Sequence, residues 1–260
     1  MSKKVTNLLA IDVGNTNTVV GLFQNGNLVN SWRLTTVRER TSDEQGVIIK
    51  NLLSLGGFET VEVDGISISC VVPPLLPSIK ETCLKYFDCD PFIVQPGVKT
   101  GMPVLIEHPQ EVGADRIVNS VAGFQKYGGP CIVIDLGTAT TFDAVSAKGE
   151  YLGGVISSGI QISAEALFQR AAKLPRVEIK EPQEVIGRST VSAMQSGIFY
   201  GYLGLIEKII VLIDKELGGH AVTIATGGLA PLITKHTDKI QHYEPDLILN
   251  GLLILFDMNR

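Results

Sequence analysis

Two aspartates stand in nearly the same local context. Ile11-Asp12-Val13-Gly14-Asn15-Thr16-Asn17-Thr18 lies over Ile134-Asp135-Leu136-Gly137-Thr138-Ala139-Thr140-Thr141 at an offset of 123 (12 to 135). The same offset carries the turn Asn25-Gly26-Asn27 onto Lys148-Gly149-Glu150. Each copy reads as strand, Asp-x-Gly, a turn rich in hydroxyls and amides, strand, glycine turn, strand. Two unrelated hairpins would draw on the same turn residues, because Asp, Gly, Asn and Thr favour turns. The shared spacing of both turns favours a duplicated unit. A glycine in each turn lets the backbone approach a ligand closely. Backbone N–H groups and the hydroxyls of Thr16, Thr18, Thr138 and Thr141 then suit phosphate oxygens. Asp12 and Asp135 are anions and cannot hold phosphate directly, so they act through a cation, most simply Mg²⁺ carrying waters. Carboxylate, cation and polyphosphate together describe phosphoryl transfer. Two similar α/β domains facing each other are expected to hold the ligand in the cleft they form.

The elements that position these residues alternate between strands and helices. Strands are expected at Leu8–Ile11, Val19–Phe23 and Leu28–Leu34, the last two joined by the hairpin signal Asn25-Gly26. Ser42 with Gln45 reads as a capping box opening a helix that stops at Gly56-Gly57. A strand at Ile66–Val72, a helix at Ile79–Tyr86 and a short strand at Phe92–Val94 follow. The irregular stretch Lys99–Gly113 leads into a helix at Ala114–Tyr127. Cys131–Leu136 is almost wholly apolar, as a strand covered on both faces should be. Strands Thr141–Ser146 and Tyr151–Ile156, helices Ile160–Ala172 and Val191–Lys215, strand Val222–Ala225 and helix Asp246–Phe256 complete the chain.

Composition narrows the function classes. The 260 residues are 45% hydrophobic and 19% charged, which excludes a disordered chain. Lys and Arg number 22 against 27 Asp and Glu, for a net charge of −5. That balance argues against a nucleic-acid or anionic-membrane partner. Cys70, Cys83, Cys89 and Cys131 form no C-x-x-C and read as reduced intracellular thiols rather than zinc ligands. The apolar run after Lys3 and Lys4 is too short for a signal peptide, and Leu247–Phe256 is too short to span a bilayer. A cytoplasmic location is expected. The dinucleotide fingerprint G-x-G-x-x-G, the P-loop and the serine-hydrolase elbow are all absent from the sequence.

Taken with Ile224-Ala225-Thr226-Gly227-Gly228-Leu229, the two hairpins resemble the phosphate and adenosine motifs of the actin-like ATPase superfamily of acetate and sugar kinases. Over essentially the full chain the sequence resembles the type III pantothenate kinase family. The resemblance rests on both hairpins, on Glu111-Val112-Gly113-Ala114-Asp115-Arg116, on Gly187-Arg188-Ser189-Thr190, and on Gly153-Gly154, Gly159 and Leu174-Pro175. It implies an α/β fold of two similar actin-like (ribonuclease H-like) domains with an inter-domain cleft. The first would span 1–115 and the second 116–260, with the last helix packing back on the first. It implies transfer of the ATP γ-phosphate to the primary hydroxyl of pantothenate, the first step towards coenzyme A, by a homodimer.

Residue roles follow from the same resemblance. Asp115 would accept the hydroxyl proton, and Gly113, Ala114, Asp115, Arg116 and Thr190 would bind pantothenate. Asp12, Val13, Gly14, Asn15, Thr16, Asn17, Thr18, Val19 and Thr138 would bind ATP. Asp135 would hold a monovalent cation, K⁺ or NH₄⁺, and Asp12 would meet Mg²⁺ through water. Members of the family often carry a tyrosine where this chain has Ile106, so a hydroxyl that could touch substrate is missing here.

Taken residue by residue, other readings stand beside these. Asp115 also suits the first turn of a helix as a dipole-complementing acid. Arg116 also suits a solvated helix face, and Thr190 also suits a helix cap. A kinase of the same fold acting on another alcohol or a carboxylate, and a nucleotide-binding regulator, are the competing functions.

Overall fold

The computed structural model describes residues 5–260; Lys3 and Lys4, which enter the signal-peptide reading, lie outside them. The chain divides into two compact units. One comprises the residues up to Met102, Glu107–Ala122 and Asp246–Arg260. The other comprises Pro103–Ile106 and Gly123–Pro245.

The first unit is built on a five-stranded sheet of β1 (Asn7–Val13), β2 (Asn17–Gln24), β3 (Asn27–Thr35), β4 (Gly65–Cys70) and β5 (Phe92–Ile93), in the order β3-β2-β1-β4-β5. The first three strands form an antiparallel meander, while β4 and β5 run parallel to β1. Asn25 and Gly26 take positive φ (51° and 81°), as a tight hairpin between twisted strands requires. Leu9, Ile11, Val13, Ile66 and Ile68 share one face and one core with Ile49 of α1 (Ser42–Leu55) and Ile79 of α2 (Leu76–Phe87). On the opposite face the Ser67 hydroxyl donates to the Leu252 carbonyl at 3.0 Å, which seats α7 (Leu247–Asn259) on the sheet. Gly251 faces the Val118 carbonyl so closely that a Cβ would come to 2.4 Å from its oxygen. The helix α3 (Ala114–Tyr127) thereby packs against α7 through its first half.

The second unit repeats this order. Its strands are β6 (Cys131–Leu136), β7 (Ala139–Val145), β8 (Tyr151–Ser158), β9 (Val222–Thr226) and β10 (His242–Tyr243), arranged β8-β7-β6-β9-β10. Again a meander is followed by parallel strands. The inward face of β6 and β7 (Ile132, Ile134, Leu136, Phe142) packs on Tyr202, Ile206 and Ile210 of α5 (Thr190–Glu216). Among the described residues α5 is the one helix long and apolar enough to cross a membrane. Its buried stripe lies in the core of this unit. Two shorter helices, α4 (Ile160–Arg170) and α6 (Ala230–Ile233), complete it.

Two local expectations shift. The first helix is capped one residue earlier, by Thr41 with Glu44 rather than Ser42 with Gln45. A glutamate carboxylate closes the box on the Thr41 N–H (2.9 Å), while the Gln45 amide donates instead to the Arg40 carbonyl and the Ser78 hydroxyl. The hairpin repeat also changes register by one. Asp12 lies opposite Val19, but Asp135 lies opposite Thr141, because the second turn is one residue shorter. The turn closes from Gly14 N–H to the Asn17 carbonyl in one case, and from Gly137 N–H to the Ala139 carbonyl in the other. The structural counterpart of Thr18 is therefore Thr140, which is buried and hydrogen-bonded to the Tyr202 hydroxyl.

Candidate active site

In the first unit Asp12 stands near the carboxyl end of β1, where parallel α/β sheets collect their ligands. The loop behind it is braced from below. The Thr36 hydroxyl donates to the Gly14 carbonyl (2.8 Å) and meets the Thr18 hydroxyl (2.9 Å), and the Thr36 N–H reaches the Thr16 carbonyl (2.9 Å). Asn15 and Thr16 are left exposed at the tip. Thr18 thus braces the loop from within through the Thr36 hydroxyl.

Gly113-Ala114-Asp115-Arg116 forms the entry to α3. The Asp115 carboxylate accepts the Arg116 N–H at 2.8 Å. A Cβ at Gly113 would come to 2.5 Å from Asp115 Oδ1, so a side chain there would displace the carboxylate, and it would lie 3.7 Å from Val71 just beyond β4. The base candidate is therefore placed beside the carboxyl end of the sheet. Burial pushes the Asp115 carboxyl above its usual range, against the opposing pull of the Arg116 N–H and guanidinium. Farther along α3, Asn119 and Ser120 are buried polar residues. On β4, Ser69 is fully buried as the register partner of Asp12. None of these three stood out in the sequence. The signal was the alternation Ile66-Ser67-Ile68-Ser69, in which serines interrupt an otherwise apolar central strand.

In the second unit the loop Leu136–Thr138 is pressed between two glycines. Gly227, at φ +94°, leaves 2.5 Å between a hypothetical Cβ and Asp135 Oδ1. Gly159 leaves 2.4 Å to the Thr138 carbonyl oxygen, and its N–H donates to that same oxygen at 3.2 Å. The Leu229 N–H reaches the Leu136 carbonyl (3.2 Å). The Gly227-Gly228 turn is thus bound to the Asp135 hairpin, and Asp135 has Thr226 as its register partner. On the same sheet face a buried carboxylate, Asp143, accepts the Tyr151 hydroxyl at 2.7 Å and the Thr141 hydroxyl at 3.4 Å. Backbone bonds of 2.8 Å between Tyr151 and both Pro103 and Leu105 stitch the segment that carries Ile106 onto β8.

Thr190 is the first residue of α5 and not its cap: Ser189 caps, with Ser192 closing the box. Thr190 instead lines an apolar groove of about 720 Å³ with Ile160, Leu167, Met194 and Tyr202. Among the described residues no group of three or more His, Cys, Asp or Glu side chains is placed to hold a metal. A cation here would need oxygen ligands from a bound phosphate or from water to complete its shell, which fits Mg²⁺ better than a metal caged by protein.

Residues 8–211 match the family model for type III pantothenate kinase. This chain belongs to that family. A type III pantothenate kinase from Koribacter versatilis is 53% identical to it, covering 97% of this chain and 96% of the relative. One from Syntrophus aciditrophicus is 51% identical over 97% and 99%, and one from Bacillus cytotoxicus 49% identical over 97% and 96%. Solved structures share the fold. A Campylobacter jejuni protein described as a conserved putative Baf family transcriptional activator superposes with a TM-score of 0.61 at 19% identity, over 96% and 98% of the two chains. An Arthrobacter inorganic polyphosphate/ATP-glucomannokinase gives 0.55 at 12%, over 98% and 100%. With its two sheets of matching strand order, this member of the pantothenate kinase family has the actin-like α/β fold.

Proposed function

We propose that this protein phosphorylates pantothenate at its primary hydroxyl with ATP, the first step towards coenzyme A, in the cytoplasm. The observation that carries the reading is the Gly113–Arg116 entry to α3, with a carboxylate raised by burial and held by the Arg116 backbone N–H. A carboxylate in that state accepts a proton from an alcohol more readily than a solvated one. In the proposed step the hydroxyl oxygen bonds to the γ-phosphorus as the bond from phosphorus to the β,γ-bridging oxygen breaks. The hydroxyl proton passes to Asp115, and ADP leaves with the former bridging oxygen.

Gly113, Ala114, Arg116 and Thr190 contact pantothenate in this reading, with Ile106 supplying an apolar part of the wall. The segment Asp12–Val19 and Thr138 handle ATP, through backbone N–H groups and loop hydroxyls. Asp12 meets Mg²⁺ through water, and Asp135 meets K⁺ or NH₄⁺. When bound, these cations offset the charge of the transferring phosphoryl group. A homodimer is supported by exposed apolar side chains on the second unit: Ile156, Ile162, Leu167, Ile186 and Val191.

The test follows ADP release from purified protein given Mg-ATP and pantothenate, in potassium and then in sodium. Pantothenate-dependent turnover that requires potassium is expected. Turnover only with a sugar or acetate would replace the reading with another kinase of this fold. No turnover with any acceptor would favour a nucleotide-binding regulator.

A further inference from the structure

Ser69 has an unusual position for a serine. It lies in the middle strand group of the sheet, is 0% exposed, and its hydroxyl has no hydrogen-bond partner among the described residues. A buried hydroxyl left in that state costs about 1–3 kcal/mol. Its neighbour Ser67, two residues earlier on the same face, is satisfied by the Leu252 carbonyl. The parallel register of β1 and β4 sets Ser69 opposite Asp12. Ile11 and Val13 point into the core that Ile66 and Ile68 share, so Asp12 and Ser69 both lie on the other face. Adjacent strands are about 4.8 Å apart, which brings two such side chains within reach of one bridging water. The second unit repeats the pattern with Asp135 opposite Thr226, which is 3% exposed. In both units a hydroxyl on the neighbouring parallel strand stands beside the hairpin carboxylate.

We propose that Ser69 is a positioning residue, whose hydroxyl together with the Asp12 carboxylate holds one water of the hydrated Mg²⁺ that accompanies ATP. Mg²⁺ retains several waters when bound, and those waters need acceptors and donors in fixed places. Outer partners of this kind commonly change metal affinity by roughly 10- to 100-fold. The inference rests on the reading that the Asp12 loop handles Mg-ATP.

The experiment uses the full chain and Ser69→Ala, with Ser69→Thr as the variant that keeps the hydroxyl. Calorimetry measures ATP binding across a Mg²⁺ titration, and the melting temperature is taken without ligand. For Ser69→Ala the Mg²⁺ concentration giving half-maximal ATP binding should rise about tenfold. Its ligand-free melting temperature should be unchanged or higher, because the hydroxyl removed has no protein partner. Ser69→Thr should bind with a Mg²⁺ requirement nearer the parent's. An unchanged Mg²⁺ requirement in Ser69→Ala overturns the proposal, whether or not the melting temperature falls. Should the parent chain itself bind no Mg-ATP, the functional reading fails instead, and the two failures are told apart.

Discussion

Gly227 touches Asp135 so closely that no side chain fits between them. A Cβ would sit 2.5 Å from the carboxylate and 2.7 Å from the Leu136 nitrogen, at φ +94°, a conformation that residues with a Cβ rarely adopt. Gly227→Ala therefore meets strain and overlap together and should destabilise the chain by about 2 kcal/mol or more. Because the same contact orders the Leu136–Thr138 loop, ATP affinity should fall with stability. Thermal melting and calorimetry check this; a variant with parental melting and ATP affinity contradicts the close packing.

Asp115→Asn should cut kcat by about 10²- to 10⁴-fold while ATP affinity changes little. Stability should move the other way. Burial raises the Asp115 pKa in the folded chain. A carboxyl raised in this way binds more protons folded than unfolded, so stability is lost as pH climbs from the usual aspartate range through the raised value. At neutral pH Asp115→Asn should thus be more stable than the parent. The gap should close as pH falls below the ordinary aspartate pKa. Denaturant melts at pH 7 and at pH 3–4 measure it; a gap that widens in acid would reverse the sign. The acid limb of kcat/KM should likewise lie above the normal aspartate range.

Asp12→Asn and Asp135→Asn should each weaken Mg-ATP binding, and Asp135→Asn should also flatten the potassium response. If both carboxylates serve one nucleotide, the double variant should lose less than the sum of the single losses, with a coupling of about 0.5–3 kcal/mol. Strict additivity in calorimetry would assign the two hairpins to independent tasks.

Tyr151→Phe removes the 2.7 Å hydrogen bond to the buried Asp143 carboxylate. Leaving a buried acceptor without its donor costs about 1–3 kcal/mol, and that loss is expected in denaturant unfolding. The backbone of residue 151 also anchors Pro103 and Leu105, and those bonds do not depend on the hydroxyl, so kcat and KM for pantothenate should change little. Unchanged stability would show that Asp143 finds another donor.

The hairpins were legible in the sequence because their turns are written in local chemistry. Asn25-Gly26 can take positive φ, and Asp-x-Gly closes a tight loop whatever surrounds it. The first helix was legible too, but its cap was not: Thr41-Glu44 and Ser42-Gln45 both satisfy the box pattern, and only geometry chose the first. Helix α6 and strand β10, of four and two residues, are too short to carry any period. His242 stacks on Tyr127 with ring centroids 4.1 Å apart. That contact joins two elements distant in the chain, so no local pattern announces it.

Sequence by itself determined the two acidic hairpins, their duplication, the Gly113–Arg116 segment and with them the family, because turn and motif chemistry act over a few residues. Tertiary structure alone decided which side chains stand beside those acids. Strand register set Ser69 opposite Asp12 and Thr226 opposite Asp135, and it shifted the counterpart of Thr18 to Thr140. Packing decided that Gly159 and Gly227 clamp one loop and that burial raises Asp115. Register and desolvation arise only when distant segments meet, so no stretch of chain encodes them on its own.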